Sequence, residues 1–239
     1  MIKTALFYVM FILYIPIVAV LLIPVFIFRL IKNKRRHDRY IALIGHFWSF
    51  GFLTLVGAKT SATGLENIPN DGNYCFACNH QSYYDTYVFL RYIWHVPGFI
   101  TKQMFSYIPI IRTWLSVVDA IFINRNNREE AVLKIKNRLQ LVKNGYPMLI
   151  FPEGTRSRSQ KMGTFKRSGL IAIAEAGVNI LPVTFNFTSK LYELQGKLKS
   201  AVVSIHFHPI VTTEGLSLED IQLIPDKIRN IIESKLLPE

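Results

Sequence analysis

Twenty-four consecutive residues without a charge, Ala5 to Phe28 (ALFYVMFILYIPIVAVLLIPVFIF), constrain this 239-residue chain more than any other feature. As a helix the run spans about 36 Å at about 1.5 Å per residue, against a hydrocarbon core of about 30 Å. A tilted span and a helix seated deep in the interface both fit. Pro16 and Pro24 kink or break it unless the carbonyls they free find partners. A cleaved signal peptide has a shorter apolar core that ends in small residues, whereas this run ends in Phe-Arg. The run is therefore read as an anchor.

The next eleven residues, Arg29 to Arg39 (RLIKNKRRHDR), hold six basic residues and one acid, while only Lys3 lies upstream. The positive-inside rule then puts the following chain on the cytoplasmic face, the inner membrane's if the source is bacterial. The same cluster suits anionic lipid head groups. Tyr40 to Ala58 is a second uncharged stretch, interrupted by His46, Trp48, Ser49 and three glycines. Its aromatic and glycine content favours a helix in the interface or packed on the body over a second span. Two domains are expected: 1–58 as the membrane motif and 59–239 as the body.

Charge sharpens the choice of partner. The chain has 28 Lys+Arg against 16 Asp+Glu, a net +12, with half of its residues hydrophobic and a mean hydropathy of +0.24. That is too apolar for a disordered tail, and two cysteines are too few for a disulfide scaffold. Nucleic acid is not an expected partner, because a positive hydropathy is unusual in a soluble basic binder. Residues 1–39 contribute +6 (seven basic residues less Asp38) and residues 40–239 the other +6 (21 less 15).

From about Ser61, short apolar runs alternate with helical segments, which argues for an α/β fold: a mixed, mostly parallel sheet flanked by helices. Strands are expected near 74–78, 98–102, 120–124, 148–151, 180–187 and 202–211. Glu129 to Lys143 reads as an amphipathic helix with Val132, Ile135, Leu139 and Val142 inward and Lys134, Lys136, Arg138 and Lys143 outward. Further helices are expected from Ser82 to about Trp94, over 166–176, and around Ile228, Ile231, Ile232 and Leu236. Cys75 and Cys78 form a CxxC, but positions i and i+3 of a strand face opposite sides and no second ligand pair exists, so both are core thiols and no metal is expected.

The densest chemical signal is Asn79-His80-Gln81-Ser82-Tyr83-Tyr84-Asp85, where a strand gives way to a helix. Ser82 suits the N-cap and Asp85 then falls at N3, the acidic end of a capping box. The same carboxylate can turn back to His80, fix the imidazole tautomer and leave the other nitrogen as a base. A lone histidine is ordinarily structural; paired in this way it becomes a candidate base. No Gly-x-Ser-x-Gly elbow exists, so the pair suits direct transfer, in which the base deprotonates a substrate hydroxyl. Downstream, the loop from Gly154 to Arg167 holds five basic residues and no acid and leaves a buried strand, where α/β ligands usually sit. With the helix starting near Lys166 it makes a good cradle for a phosphate; composition alone would favour a solvated basic surface loop, and the position after a buried strand shifts the reading towards the cradle. Arg125 and Lys102 end two other strands and are separate candidates for the same anion.

Five blocks in order, from about Cys78 to Asn186, resemble those of the glycerolipid acyltransferases, and most closely their lysophosphatidic acid acyltransferase branch: NHQSYYD, AIFINR, FPEGTRSRS, GTFKRSG and ILPVTFN. The strand block ends Ile-Asn-Arg, where Ile-Asp-Arg is frequent. The resemblance implies that His80 is the general base and Asp85 its orienting partner. It implies that Glu153, Gly154, Thr155 and Arg156 form part of the acceptor site, with Arg125, Lys102 and Lys166 on the acceptor phosphate. It also implies an acyl-CoA or acyl-acyl-carrier-protein donor as co-substrate, no cofactor and no metal, and a helical membrane motif before an α/β body. The expected activity is acylation of the sn-2 hydroxyl of lysophosphatidic acid to phosphatidic acid, among membrane lipids. The alternatives are the same chemistry on glycerol 3-phosphate, another lysophospholipid or a lyso-aminolipid, and a non-catalytic anionic-lipid binder that would need the basic residues but neither His80 nor Asp85.

Overall fold

The computed structural model describes residues 20–70, 72–124 and 127–238. The first nineteen residues of the chain, with the start of the expected anchor and Pro16, lie outside the described residues, as does Arg125. From Val20 the anchor is helical: α1 (Val20–Leu30) runs through Pro24 and turns into α2 (Lys34–Val56). Lys32 makes the turn at φ 52°, and the Asn33 side chain caps α2 by accepting from Arg36 N at 3.1 Å. The basic cluster therefore forms the corner between the helices and opens α2, which starts before the uncharged stretch at Tyr40. Gly57, at φ 74°, ends α2 and donates back to Thr54 O.

One side of α2 packs on the body: Leu53 and Val56 join the core of Val88 and Phe89 from α3 (Tyr84–Tyr92). The other side leaves Leu43, Phe47 and Phe50 exposed. Among the described residues α2 is the one helix long and apolar enough, by length and composition, to cross a membrane. Arg29 ties the corner down by donating to Ser116 O (3.2 Å) and Val117 O (3.4 Å) at the end of α4 (Pro109–Val117).

Seven strands form one mixed sheet in the order β1-β7-β6-β2-β5-β3-β4. They are β1 (Lys59–Thr63), β2 (Tyr74–Cys78), β3 (Gly98–Lys102), β4 (Ile121–Ile123), β5 (Met148–Ile150), β6 (Asn179–Asn186) and β7 (Val202–Phe207). All neighbours are parallel except β6 and β7. A parallel sheet must be covered on both faces, and β2 is buried at every position for that reason. Tyr74, Phe76 and Cys78 point to the α2–α3 side, and Cys75 and Ala77 to the side covered by α5 (Arg128–Lys143), α6 (Arg167–Glu175) and α7 (Leu218–Glu233). The two thiols thus lie on opposite faces, buried, and burial pushes both well above the ordinary thiol range.

Three local expectations need correction. Arg138 does not face away: only 5% of it is exposed, and its guanidinium reaches over Gly98 towards Pro147 O at 3.5 Å. A Cβ on Gly98 would come within 2.7 Å of that guanidinium, so the glycine makes the room. The helix after the NHQ segment runs over Tyr84–Tyr92 with Tyr83 as its N-cap, two residues inside the expected start and end. Leu236 lies beyond the end of α7 at Glu233.

Candidate active site

β2 sits between β5 and β6, so the segments leaving the C-terminal ends of all three strands converge. Where β2 stops pairing, the Asn79 side chain continues the ladder: Phe185 N donates to its Oδ1 at 2.7 Å and its Nδ2 donates to Phe185 O at 2.9 Å. This stops the strand at a fixed height and presents His80 to the space above the sheet. The imidazole stacks on Phe151, which follows β5, with ring centroids 3.9 Å apart and planes at 20°.

His80 Nδ1 and Asp85 Oδ2 are 2.7 Å apart. Asp85 is fully buried, and the same oxygen accepts from Gln81 N (2.8 Å) and Ser82 N (3.0 Å). Three donors on one oxygen mark it as a carboxylate acceptor, so Nδ1 is the nitrogen that carries a proton towards Asp85, and Nε2 is the one left to act as a base. Half of the expected capping box forms. Asp85 takes the Ser82 N–H, but the Ser82 hydroxyl accepts from Tyr84 N at 3.0 Å instead of from residue 85. Tyr83, not Ser82, is thus the N-cap, and the carboxylate is held back towards His80. The other Asp85 oxygen, Oδ1, accepts from the Thr188 hydroxyl.

His80 lines a cavity of about 900 Å³ with chemically mixed walls. Lys102, Gly154, Thr155, Arg156, Arg158 and Lys166 supply a cationic part of the lining. Ile41, Ile44 and Trp48 of α2, Leu90 of α3 and Trp114 of α4 supply an apolar part. Gly154 adopts φ 67°, and a Cβ there would stand 3.0–3.2 Å from the Lys166 side chain, so the glycine both makes the turn and lets the lysine pass. Ile123, at the end of β4, lines the same cavity.

The loop residues divide into two groups. Gly154, Thr155, Arg156 and Lys166 face the cavity, as does Lys102 at the end of β3. Glu153 is turned inward instead: it is 4% exposed, with Oε1 accepting from His80 N (2.6 Å) and Oε2 from Gly163 N (2.7 Å). Both oxygens are taken, so its carboxylate fastens the loop beneath the histidine, outside the cavity lining. Burial pushes this carboxyl up, while the two backbone N–H groups pull it down. Ser157 N, which donates to His80 O at 2.7 Å, makes a second clasp between loop and motif.

Arg156 has a partner that sequence reasoning did not identify. Its Nη1 donates to Glu193 Oε1 at 2.8 Å, and its guanidinium lies over the Tyr83 ring, 3.3 Å from the centroid. Glu193 also accepts from Tyr83 N at 2.9 Å. Glu193 and Thr188 lie beyond the motif blocks, 110 and 103 residues from their partners Tyr83 and Asp85, and carry no local signal. Among the described residues no group of three or more His, Cys, Asp or Glu could hold a metal ion. The arrangement offers cationic side chains for an anion and apolar ones for an aliphatic chain in the cavity that His80 lines.

The family profile described as Acyltransferase matches residues 59–186, more than half of the chain, and the chain belongs to the acyltransferase family. Its relatives narrow the branch. The chain is 32% identical over 186 residues to the 1-acyl-sn-glycerol-3-phosphate acyltransferase of Borreliella burgdorferi, covering 77% of this chain and 74% of that one. It is 31% identical over 182 residues to the chloroplastic 1-acyl-sn-glycerol-3-phosphate acyltransferase BAT2 of Brassica napus, covering 74% of this chain but only 51% of that longer one. The crystal structure of the 1-acyl-sn-glycerophosphate acyltransferase of Thermotoga maritima superposes with a TM-score of 0.81 at 25% identity, over 100% of this chain and 97% of that one.

Proposed function

We propose that the protein transfers an acyl group from a thioester donor, acyl-CoA or acyl-acyl-carrier-protein, to the sn-2 hydroxyl of lysophosphatidic acid, giving phosphatidic acid. One observation carries the reading: His80, paired with Asp85, lines a single cavity whose walls carry both cationic and apolar side chains. Lysophosphatidic acid matches that combination, a dianionic head on one acyl chain, and the names of the relatives support the choice. His80 Nε2 takes the hydroxyl proton as the oxygen attacks the thioester carbonyl, and Asp85 stabilises the imidazolium. The tetrahedral intermediate collapses with cleavage of the C–S bond, and the sulfur leaves with the proton returned by His80. Lys102, Arg156 and Lys166 hold the phosphate, and Gly154 and Thr155 shape its seat. Positioning the hydroxyl against the carbonyl supplies much of the rate. The exposed apolar residues of α1 and α2 support a body held against the membrane, and the basic corner supports its cytoplasmic face.

The test is an acceptor-by-donor panel with purified enzyme in detergent, wild type beside His80→Ala. The expected result is highest kcat/KM on lysophosphatidic acid and no turnover in a folded His80→Ala variant. Wild-type turnover in that variant refutes the mechanism, and a preference for glycerol 3-phosphate or a zwitterionic lysolipid reassigns the acceptor.

A further inference from the structure

We infer that Thr188 is a positioning residue for the His80–Asp85 pair, held in place by a buried amide chain through Gln81 and Gln160. The inference rests on the acyl-transfer reading above. Asp85 Oδ2 already has three donors, all from residues 80–82. Those contacts hold one oxygen and leave Oδ1 without a donor from the same segment. The Thr188 hydroxyl, donating to Oδ1, pairs that second oxygen, so the carboxylate is held at both oxygens. A carboxylate held in this way keeps its place beside the imidazole, which stacks on the Phe151 ring. Without the hydroxyl, Oδ1 would be an unpaired charged acceptor in a site with no solvent exposure.

The chain is built to deliver this hydroxyl. β6 ends at Asn186, and Phe187 takes φ 63°, a left-handed conformation uncommon for an aromatic residue. That turn carries Thr188 beneath the start of α3, where its backbone N donates to Gln81 Oε1 at 3.1 Å. Gln81 Nε2 in turn donates to Gln160 Oε1 (3.0 Å), which also accepts from Phe187 N (2.9 Å). Gln160 Nε2 donates to Asn186 Oδ1 at 2.7 Å and to Leu237 O at 3.0 Å. Thr188 and both glutamines are buried. Gln160 belongs to the same loop as Arg156 and Arg158, so the loop that supplies the cationic lining is bonded to the residues that aim the base.

A hydrogen bond to a charged group that orients a reacting group from behind is worth about 10–100-fold in rate. The experiment uses the full chain in detergent with an acyl-CoA and lysophosphatidic acid, comparing Thr188→Val, Thr188→Ser and His80→Ala over a pH series. Thr188→Val should lower kcat by about 10–100-fold with both KM values within about twofold. The acidic limb of its kcat/KM profile should move to higher pH, because a carboxylate relieved of one donor holds the imidazolium proton more tightly. Thr188→Ser, which restores the donor, should return to within a few-fold of wild type. If Thr188→Val fails to fold, Thr188→Ala removes the same donor without placing a methyl against the carboxylate, and its kinetics decide. An unshifted profile with kcat near wild type overturns the inference, as does equal impairment of the Val and Ser variants. Retained turnover in His80→Ala refutes the acyl-transfer reading itself, which separates the two failures.

Discussion

Replacing Asp85 by Asn isolates what the negative charge does, because the surrounding donors dictate how the amide sits. Gln81 N, Ser82 N and His80 Nδ1 all converge on Oδ2, so the carbonyl oxygen of the new amide must occupy that position. Its NH2 then faces Thr188, whose hydroxyl can rotate to donate to Gln81 Oε1, 3.2 Å away, and accept from the amide. The three donors that bonded Oδ2 stay paired, the Nδ1–H tautomer is kept, and Nε2 remains a base. What disappears is the charge beside the developing imidazolium. At the observed 2.7 Å a unit pair in an effective dielectric near 20 interacts by about 6 kcal/mol, which is a ceiling. The usual effect of a neighbouring opposite charge, one to three pKa units, corresponds to about 1.4–4 kcal/mol. Asp85→Asn should therefore lower kcat/KM about 10- to 10³-fold at neutral pH, with an unfolding midpoint close to wild type. Turnover on lysophosphatidic acid, with a thermal melt on the same preparation, measures both. A loss of about 10⁴-fold or more, the scale of a triad carboxylate-to-amide change that inverts the tautomer, would refute this account of the donor geometry. So would turnover equal to wild type.

Arg156→Ala should raise KM for the acceptor more than for the donor. It should also destabilise the fold by about 3–5 kcal/mol, because Glu193, with 2% of its side chain exposed, loses its cation. Adding Glu193→Gln should restore the melting temperature but not the acceptor KM; recovery of both would mean that Arg156 acts only through the ion pair. His208 is 4% exposed, and burial, helped by His206 and Lys235, lowers its pKa from 6.5 to about 4. A base depressed in the fold contributes stability above pH 6.5 that is lost as pH falls towards 4, here about 2–3 kcal/mol. Denaturant titrations at pH 7 and pH 4.5 should show that loss in wild type and a smaller one in His208→Gln, whereas equal losses would assign the acid sensitivity elsewhere.

Much of the architecture is legible in the chain because it is written in short-range pattern. The uncharged run, the basic corner, the period of α5 and the apolar strands are all visible within about twenty residues. So is the approach of Asp85 to His80, since five residues across a helix start bring a carboxylate back over its own N-terminus. The errors fall where a side chain's partner comes from elsewhere. Arg138 has the spacing of a surface residue, but Gly98 on another strand opens a place for it inside. Glu153 stands in a motif rich in cavity-lining residues, yet two backbone N–H groups draw it under the histidine.

By itself, then, the amino-acid sequence determines an apolar anchor, an α/β body, a histidine–aspartate pair at a helix start and a cationic loop after a buried strand. Tertiary structure alone decides that these form one site. Placing β2 between β5 and β6 brings segments about 70 and 100 residues apart in sequence to the same edge of the sheet. That order puts Phe151 against the imidazole, Thr188 behind Asp85 and Glu193 on Arg156, and folds α2 and α4 into an apolar wall for the cavity. Such contacts depend on strand order and register, and no local periodicity encodes them.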